Sequence, residues 1–245
     1  MKVVVLTGAG ISAESGISTF RDSNGLWNNH SIEDVASPAG FEKNPALVHE
    51  FYNLRRRDVL LAEPNLAHLA LAKLQQELFK IGMKVHIITQ NVDDLHERAG
   101  ADVIHVHGEL LKARCAFCDI VTVVTGDLSI DTVCARCGVI GQVRPHIVWF
   151  GEELQNTDRL LEALAEFTEG DLFVAIGTSG NVSPAADWVS YAASKGAFTL
   201  EINLDNTTTS SRFREAIRGP ATITVPAWVE STLAPLSQWR SEIDC

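Results

Sequence analysis

The chain has 245 residues, 46% of them hydrophobic, and a formal net charge of −11. That is enough apolar material for one large core with a smaller second domain beside it. The acidic balance excludes a nucleic-acid phosphate track, which needs clustered Lys and Arg, and no apolar run approaches a membrane span.

Lys2 to Leu6 is a short valine-rich run closed by Thr7-Gly8, and it reads as a buried strand. It is too short, and too soon followed by Gly, for a signal peptide, so the expected location is cytoplasmic. Gly8-Ala9-Gly10-Ile11-Ser12-Ala13 comes next. Glycines there permit a tight turn whose N–H groups can cradle a pyrophosphate, although a plain strand-to-helix turn would look the same. A dehydrogenase fingerprint also needs an acidic residue about 20 positions on, at the end of the second strand. Here the next strand comes far later and ends Thr89-Gln90-Asn91, which argues against a standard NAD oxidoreductase.

Helical spacing is predicted over Pro45 to Leu61 and again from Pro64, with Gly82 as its stop. Further helices are expected over about Asp158–Phe167 and Pro184–Lys195. Apolar strand-like runs recur at Val85–Ile88, Val103–Val106, Ile147–Phe150, Leu172–Ile176, Phe198–Ile202 and Thr222–Val225. Strands alternating with helices imply an α/β fold with a doubly wound, parallel, Rossmann-like sheet. That domain is assigned to residues 1–28, 80–111 and 144–245. Two stretches break the rhythm: a helical module at 29–79 and a poorly periodic segment at 112–143. Together they are expected to form a smaller inserted domain.

The second insert carries Cys115, Cys118, Cys134 and Cys137, a C-x2-C pair, fifteen residues, and another C-x2-C pair. Two close thiol pairs at that separation suit a tetrahedral metal held between two knuckles. A cytoplasmic setting disfavours disulfides, so one zinc in a zinc ribbon is the expected occupant. Four thiolates leave no open position, which makes the zinc structural. A nucleic-acid-binding ribbon is the alternative, and the few nearby cations (Lys112, Arg114, Arg136, Arg144) speak against it. Cys245 is assigned no role.

Several motifs in register then carry a resemblance. Gly8-Ala9-Gly10-Ile11-Ser12, Gly16-Ile17-Ser18-Thr19-Phe20-Arg21, Thr89-Gln90-Asn91-Val92-Asp93, His107-Gly108, Phe150-Gly151-Glu152 and Gly177-Thr178-Ser179 are similar to the sirtuin family. These are NAD-dependent protein lysine deacylases, and the cysteine pairs fall where that family carries its zinc. Ser18-Thr19 departs from the Pro-Asp of many members, beside the nicotinamide loop. The resemblance implies that an acyl-lysine carbonyl oxygen attacks the ribose carbon of NAD. Nicotinamide leaves, and the acyl group ends on ADP-ribose. The implied partners are acylated lysine side chains of proteins, with neither nucleic acid nor membrane. A monomer is compatible with the sequence.

The resemblance also assigns residues. His105 and His107 alternate to the same face of their strand, so pattern alone cannot choose a base; the family's His-Gly motif selects His107. Asn91 is placed with it in catalysis, and Asn91 and Asp93 at the nicotinamide amide and ribose. Gly8, Ala9, Gly10, Ser12, Glu14, Phe20, Arg21, Trp27, Gln90 and Val92 complete the first half of the dinucleotide site. Gly177, Thr178, Ser179, Asn203, Leu204, Asp205 and Ala221 form its adenosine half. Val148, Trp149, Phe150 and Gly151, with Asn181-Val182-Ser183, are implied to clamp a peptide by strand addition. Tyr52 and Arg55 share a helix face, where a phenol and a guanidinium can hold a carboxylate. Pattern alone favours a solvated charge run, Arg55-Arg56-Arg57. The Tyr-x-x-Arg arrangement nevertheless resembles the sirtuin subgroup that removes succinyl and malonyl groups, with Ala36 as the small residue that leaves room. Desuccinylase activity is therefore expected alongside deacetylase activity. Two other readings stay open: an ADP-ribosyl transferase or NAD hydrolase at the same site, and a non-catalytic zinc-ribbon module beside a nucleotide-sensing domain.

Overall fold

In the computed structural model, which describes residues 2–18, 26–27 and 30–243, the first apolar run lies inside a six-stranded parallel sheet. The chain opens with β1 (Lys2–Thr7), the glycine loop and a short antiparallel pair, β2 (Leu26–Trp27) and β3 (His30–Ser31). Then come α1 (Ile32–Val35), α2 (Pro38–Lys43), α3 (Pro45–Leu61) and α4 (Leu66–Phe79). β4 (Lys84–Thr89), α5 (Leu95–Arg98) and β5 (Val103–His105) return to the main sheet. β6 (Gly108–Cys115), β7 (Val121–Val123) and β8 (Val143–Ile147) form a separate antiparallel sheet. The chain then adds α6 (Thr157–Leu164), β9 (Leu172–Ile176), α7 (Trp188–Ser194), β10 (Phe198–Asn203), β11 (Glu215–Arg218) and α8 (Ala221–Ile243).

The main sheet runs β11-β10-β9-β1-β4-β5, with every pair parallel. Strand alternation sorts β1 between two cores. Val3 and Val5 face the cluster under α4 and α8, while Val4 and Leu6 face the cluster under α6 and α7. A strand buried on both faces reads as a continuous apolar run, which is why Val3-Val4-Val5-Leu6 was legible as one. Thr7 pairs with Thr89 and Ile176 in register, so the carboxyl ends of β1, β4 and β9 align on one edge.

α3 begins where predicted because its start is chemically marked. Pro45 occupies its first turn, and the Asn44 side chain accepts the Leu47 N–H at 3.1 Å. α4 has a reciprocal cap, Asn65 accepting from Ala67 N at 2.9 Å while its own N–H donates to His68 Nδ1.

Three expectations are corrected. Thr222–Val225 is the first turn of α8, not a strand. Its β-branched residues favour strands, but Val225, Trp228 and Val229 recur at helical spacing and bury against the sheet, and packing overrides propensity. The last strand is instead the more polar β11. The run Ile147–Phe150 is strand only at Ile147; β8 begins upstream at Val143 and pairs with β6, and Val148 donates its N–H to His107 O at 2.8 Å. Finally, α4 does not join the helical module. Ala67, Leu71, Leu74 and Leu78 pack with Val3, Val5 and Ile87 of the main sheet.

The small domain has its own core of Val35, Val48, Phe51, Tyr52, Leu110 and Trp149, and a separate cluster surrounds the cysteines. Asn53 joins the two modules reciprocally, donating to Leu128 O at 2.8 Å and accepting from Leu128 N at 2.9 Å.

Leu74 is fully buried and Leu61 is 83% exposed. Leu74→Ala is expected to cost about 2–5 kcal/mol in a denaturant titration. Leu61→Ala is expected to stay within about 0.5 kcal/mol.

Candidate functional site

A cavity of about 330 Å³ opens at the carboxyl ends of β1, β4 and β9 and extends to α3. Its floor is made by backbone. Gly8 N donates to Ile176 O at 3.0 Å, and Gly10 N donates to Gly177 O at 2.9 Å. A Cβ on Gly10 would meet the Gly177 Cα at 2.7 Å, and one on Gly177 would meet the Ile11 N at 2.5 Å. Gly177 also sits at φ +62, where side chains are strained. These contacts hold two loops together at a spacing that only glycines allow. The bare edge left there suits close approach by a pyrophosphate.

Asn91, Asp93 and Ser12 form a buried triangle on one wall. Ser12 Oγ donates to Asp93 Oδ2 at 3.0 Å, and Asn91 Nδ2 donates to Ser12 Oγ at 3.0 Å. Burial pushes the Asp93 carboxyl up to about 6, against the stabilising N–H of Leu95 and hydroxyl of Ser12. Thr178 lies close to this floor, and Asn203 Nδ2 donates to its carbonyl at 2.6 Å.

The two histidines separate clearly. His105 is buried, with Nδ1 on Asn91 O at 3.0 Å and Nε2 on Glu97 Oε1 at 2.6 Å. Burial disfavours its charge, but the Glu97 carboxylate outweighs that and its pKa is raised. His107 lines the cavity and shifts the opposite way: burial lowers its pKa, against the Gln90 carbonyl. The 3.1 Å contact of His107 Nδ1 with Gln90 O requires Nδ1 to carry the proton, because a carbonyl only accepts. The neutral ring therefore presents an Nε2 lone pair, the form a general base needs.

Opposite the glycine floor, α3 brings Tyr52 and Arg55 into the same cavity, with Ala36, Val148, Trp149, Phe150 and Gly151 around them. Tyr52 is 1% exposed, and burial raises its phenol well above the usual range. Arg55 stacks on Phe51 with its Cζ 4.0 Å from the ring centroid, and Nη1 donates to Phe51 O at 2.9 Å. Trp149 Nε1 donates to Tyr52 Oη at 3.0 Å. Arg144 and Glu152 frame that indole, a pair eight residues apart with no sequence signal to link them. Arg144 Cζ lies 3.4 Å from the Trp149 ring centroid and its guanidinium takes both Glu152 oxygens, at 2.6 and 2.9 Å. Asp58, Val59, Leu110 and Leu154 are further wall residues that sequence reasoning missed.

Gly8, Ala9, Gly10, Ser12, Gln90, Asn91, Val92, Asp93, Gly177, Thr178 and Ser179 all line this cavity. Glu14, Asn203, Leu204, Asp205 and Ala221 are not among its lining residues. Glu14 instead caps α8, accepting from Thr222 N at 3.0 Å and Thr222 Oγ1 at 2.6 Å. Phe20 and Arg21 lie outside the described residues, and of Trp27 only the backbone, in β2, is described.

The four cysteine sulfurs lie within 4.8 Å of one another. Cys115 and Cys137 are separated by 3.8 Å at sulfur, and Cys118 and Cys134 by 3.7 Å. A tetrahedron with Zn–S of about 2.3 Å has edges of about 3.8 Å. The spacing thus fits a zinc ion and is far too long for disulfides. The thiols titrate against one another: backbone N–H groups of Cys137 and Arg136 lower the Cys134 thiol, while burial and the neighbouring sulfurs raise Cys118 and Cys137.

A glycine floor and a neutral histidine at the edge of a Rossmann-like sheet, with a four-sulfur cluster in the smaller antiparallel module, define a nucleotide-using enzyme class, and comparison with known proteins gives the family. The model of the Sir2 family matches residues 8–184. The NAD-dependent protein deacylase SIR2rp3 of Leishmania major is 57% identical over 235 residues, covering 94% of this chain and 95% of that protein. A solved Sir2 homolog–NAD complex superposes with a TM-score of 0.83 at 40% identity, covering 96% of this chain and 90% of its own. A structure of Sir2 bound to acetylated peptide superposes with a TM-score of 0.76 at 30% identity, covering 94% and 93%. The chain belongs to the Sir2 family.

Cys134→Ser is expected to lower bound zinc from about one per chain to a substoichiometric amount by elemental analysis. It is also expected to lower the melting temperature, because the cluster is the core of its module. Full zinc retention would contradict the tetrahedral assignment.

Proposed function

We propose that this chain is an NAD-dependent protein lysine deacylase that removes acetyl groups and the acidic acyl groups succinyl and malonyl. The observation carrying this reading is that one cavity holds the glycine floor, His107 and the Tyr52–Arg55 wall. The related NAD and acetyl-peptide complexes support two substrates meeting there. NAD, when bound, supplies a ribose carbon that can pass from nicotinamide to an acyl oxygen.

The protein's own part is positioning, exclusion of water and proton transfer. The loops around Gly8–Gly10 and Gly177–Ser179 hold the pyrophosphate and ribose through backbone N–H groups and hydroxyls. Asn91 and Asp93 orient the nicotinamide amide and the ribose, since they offer fixed donors and acceptors in a buried wall. The segment from Val148 to Gly151 pairs with the backbone of the peptide and leads the acyl-lysine inward. His107 Nε2 accepts a ribose hydroxyl proton, which raises that oxygen's nucleophilicity toward the acyl carbon. The acyl carbon passes from the lysine nitrogen to the ribose oxygen, one water is consumed, and the products are the free lysine amine, nicotinamide and O-acyl-ADP-ribose. Ala36 gives the acyl chain length, and Arg55 with Tyr52 receives a distal carboxylate. The zinc cluster, held by Cys115, Cys118, Cys134 and Cys137, stands apart from the reacting atoms and serves structure.

His107→Ala is expected to lower deacylation by about 10²–10⁴-fold with the fold intact. Because the base must be neutral and its pKa is depressed below 6.5, kcat/KM should hold to below that pH and fall only at more acidic values. An acid limb centred above 6.5 would contradict the assignment. Nicotinamide release that needs no acyl-lysine peptide would favour NAD hydrolysis or ADP-ribosyl transfer instead.

A hydrogen bond to a charged group is worth about 1.5–3 kcal/mol. Arg55→Met should therefore lower succinyl-peptide turnover by about 10- to 100-fold more than acetyl-peptide turnover. Equal losses on both peptides would remove the acidic-acyl claim.

A further inference from the structure

We infer that Trp149 is a positioning residue for acyl-chain specificity: its indole N–H orients the Tyr52 hydroxyl so that the phenol proton is presented to the distal carboxylate of a dicarboxylic acyl chain. This rests on the acidic-acyl reading above and assigns a device within that pocket.

The argument starts from donor inventory. An indole nitrogen only donates, so at the 3.0 Å contact the Tyr52 oxygen is the acceptor. A phenol O–H prefers the plane of its ring, which gives it two orientations. The indole N–H takes one lone-pair direction, and the Tyr52 proton is driven away from Trp149. Both side chains are nearly sealed from water, at 1% and 2% exposure, so solvent does not compete for the contact. Both also line the cavity that holds Arg55. Without the indole N–H, the hydroxyl loses the contact that turns its oxygen toward Trp149, and an oxygen turned toward the ligand repels a carboxylate.

The indole itself is pinned. Arg144 Cζ stacks 3.4 Å from its centroid, and Phe41 packs at 5.2 Å between centroids. Glu152 Oε2, bound to Arg144, also accepts the Trp149 backbone N–H at 2.9 Å. Ring position and backbone are thus fixed by one ion pair, and the phenol inherits that order. An acetyl group has no acceptor at the far end of its chain, so its turnover does not use the oriented proton. Phenylalanine at this position would keep an aromatic, apolar wall and remove the indole N–H.

The test compares kcat and KM on acetyl-lysine and succinyl-lysine peptides for wild type, Trp149→Phe, Tyr52→Phe and the double variant. Trp149→Phe is expected to lower succinyl kcat/KM by about tenfold, mainly through KM, as loss of one hydrogen bond implies. Because Trp149 also lines the channel that every acyl-lysine uses, acetyl turnover of the same variant is the reference, and the succinyl-to-acetyl ratio of kcat/KM is expected to fall about tenfold. In the Tyr52→Phe background, Trp149→Phe should add no selective loss, since the group it orients is gone. If Trp149→Phe fails to fold, Trp149→3-benzothienylalanine keeps shape and stacking while replacing N–H by sulfur, and the same tenfold selective loss is expected. An unchanged succinyl-to-acetyl ratio in that variant, or a selective loss that persists without the Tyr52 hydroxyl, overturns the inference. Wild-type protein that turns over acetyl but neither succinyl nor malonyl peptide overturns the acidic-acyl reading and this inference together. Selective loss in Arg55→Met with no selective loss at Trp149 overturns the inference alone.

Discussion

No side chain fits between Gly10 and Gly177. Their backbones meet with Gly10 N on Gly177 O at 2.9 Å, and a Cβ on either would collide with main chain of the other loop. That contact ties the end of β1 to the end of β9 and leaves a bare floor where a phosphate can approach. The other walls are arranged around it. β4, in register with β1, delivers Gln90, Asn91 and Asp93, and the chain leaving β5 delivers His107. The aligned carboxyl edge of a parallel sheet is where ligands gather, and here one strand register sets several functional groups at once.

α3 is the second organising element, because its faces do different jobs. One face brings Tyr52 and Arg55 to the cavity. Another anchors the helix: Arg56 Nε donates to Leu110 O at 3.1 Å, Arg56 Nη1 donates to Asn53 Oδ1 at 2.7 Å, and Asn53 clasps Leu128. The helix that carries Tyr52 and Arg55 is therefore braced against the cysteine-bearing module. Leu128 packs in the same cluster as Cys115 and Cys134, so Asn53 joins the helix carrying Tyr52 and Arg55 to the four-sulfur module.

The sequence made legible what local chemistry marks. Pro45 marked the start of α3, the valine run marked β1, and the cysteine spacing marked the four-sulfur cluster. It misplaced what depends on tertiary partners. Thr222 to Val225 carry strand propensity, yet α8 forms because Val225, Trp228 and Val229 bury on the sheet. Ile147 to Phe150 looked like a strand because all are apolar, and only the pairing of β8 with β6 shows where pairing stops. In the site, His105 and His107 were indistinguishable by alternation; Glu97 and the Gln90 carbonyl are what separate them, and both come from other segments. The Arg144–Glu152 frame and the Trp149–Tyr52 bond lay beyond reach for the same reason: partners brought together by folding leave no periodic trace.

The central claim is that a dinucleotide on the glycine floor and an acyl-lysine entering past Trp149 meet beside His107. A crystal structure with an acyl-lysine peptide and a non-cleavable NAD analogue tests it most directly. The acyl carbonyl oxygen should lie about 3–3.5 Å from the nicotinamide-bearing ribose carbon, with His107 Nε2 facing a ribose hydroxyl. A dinucleotide whose nicotinamide end lies outside this cavity, or an acyl chain seated away from Tyr52 and Arg55, would contradict the account.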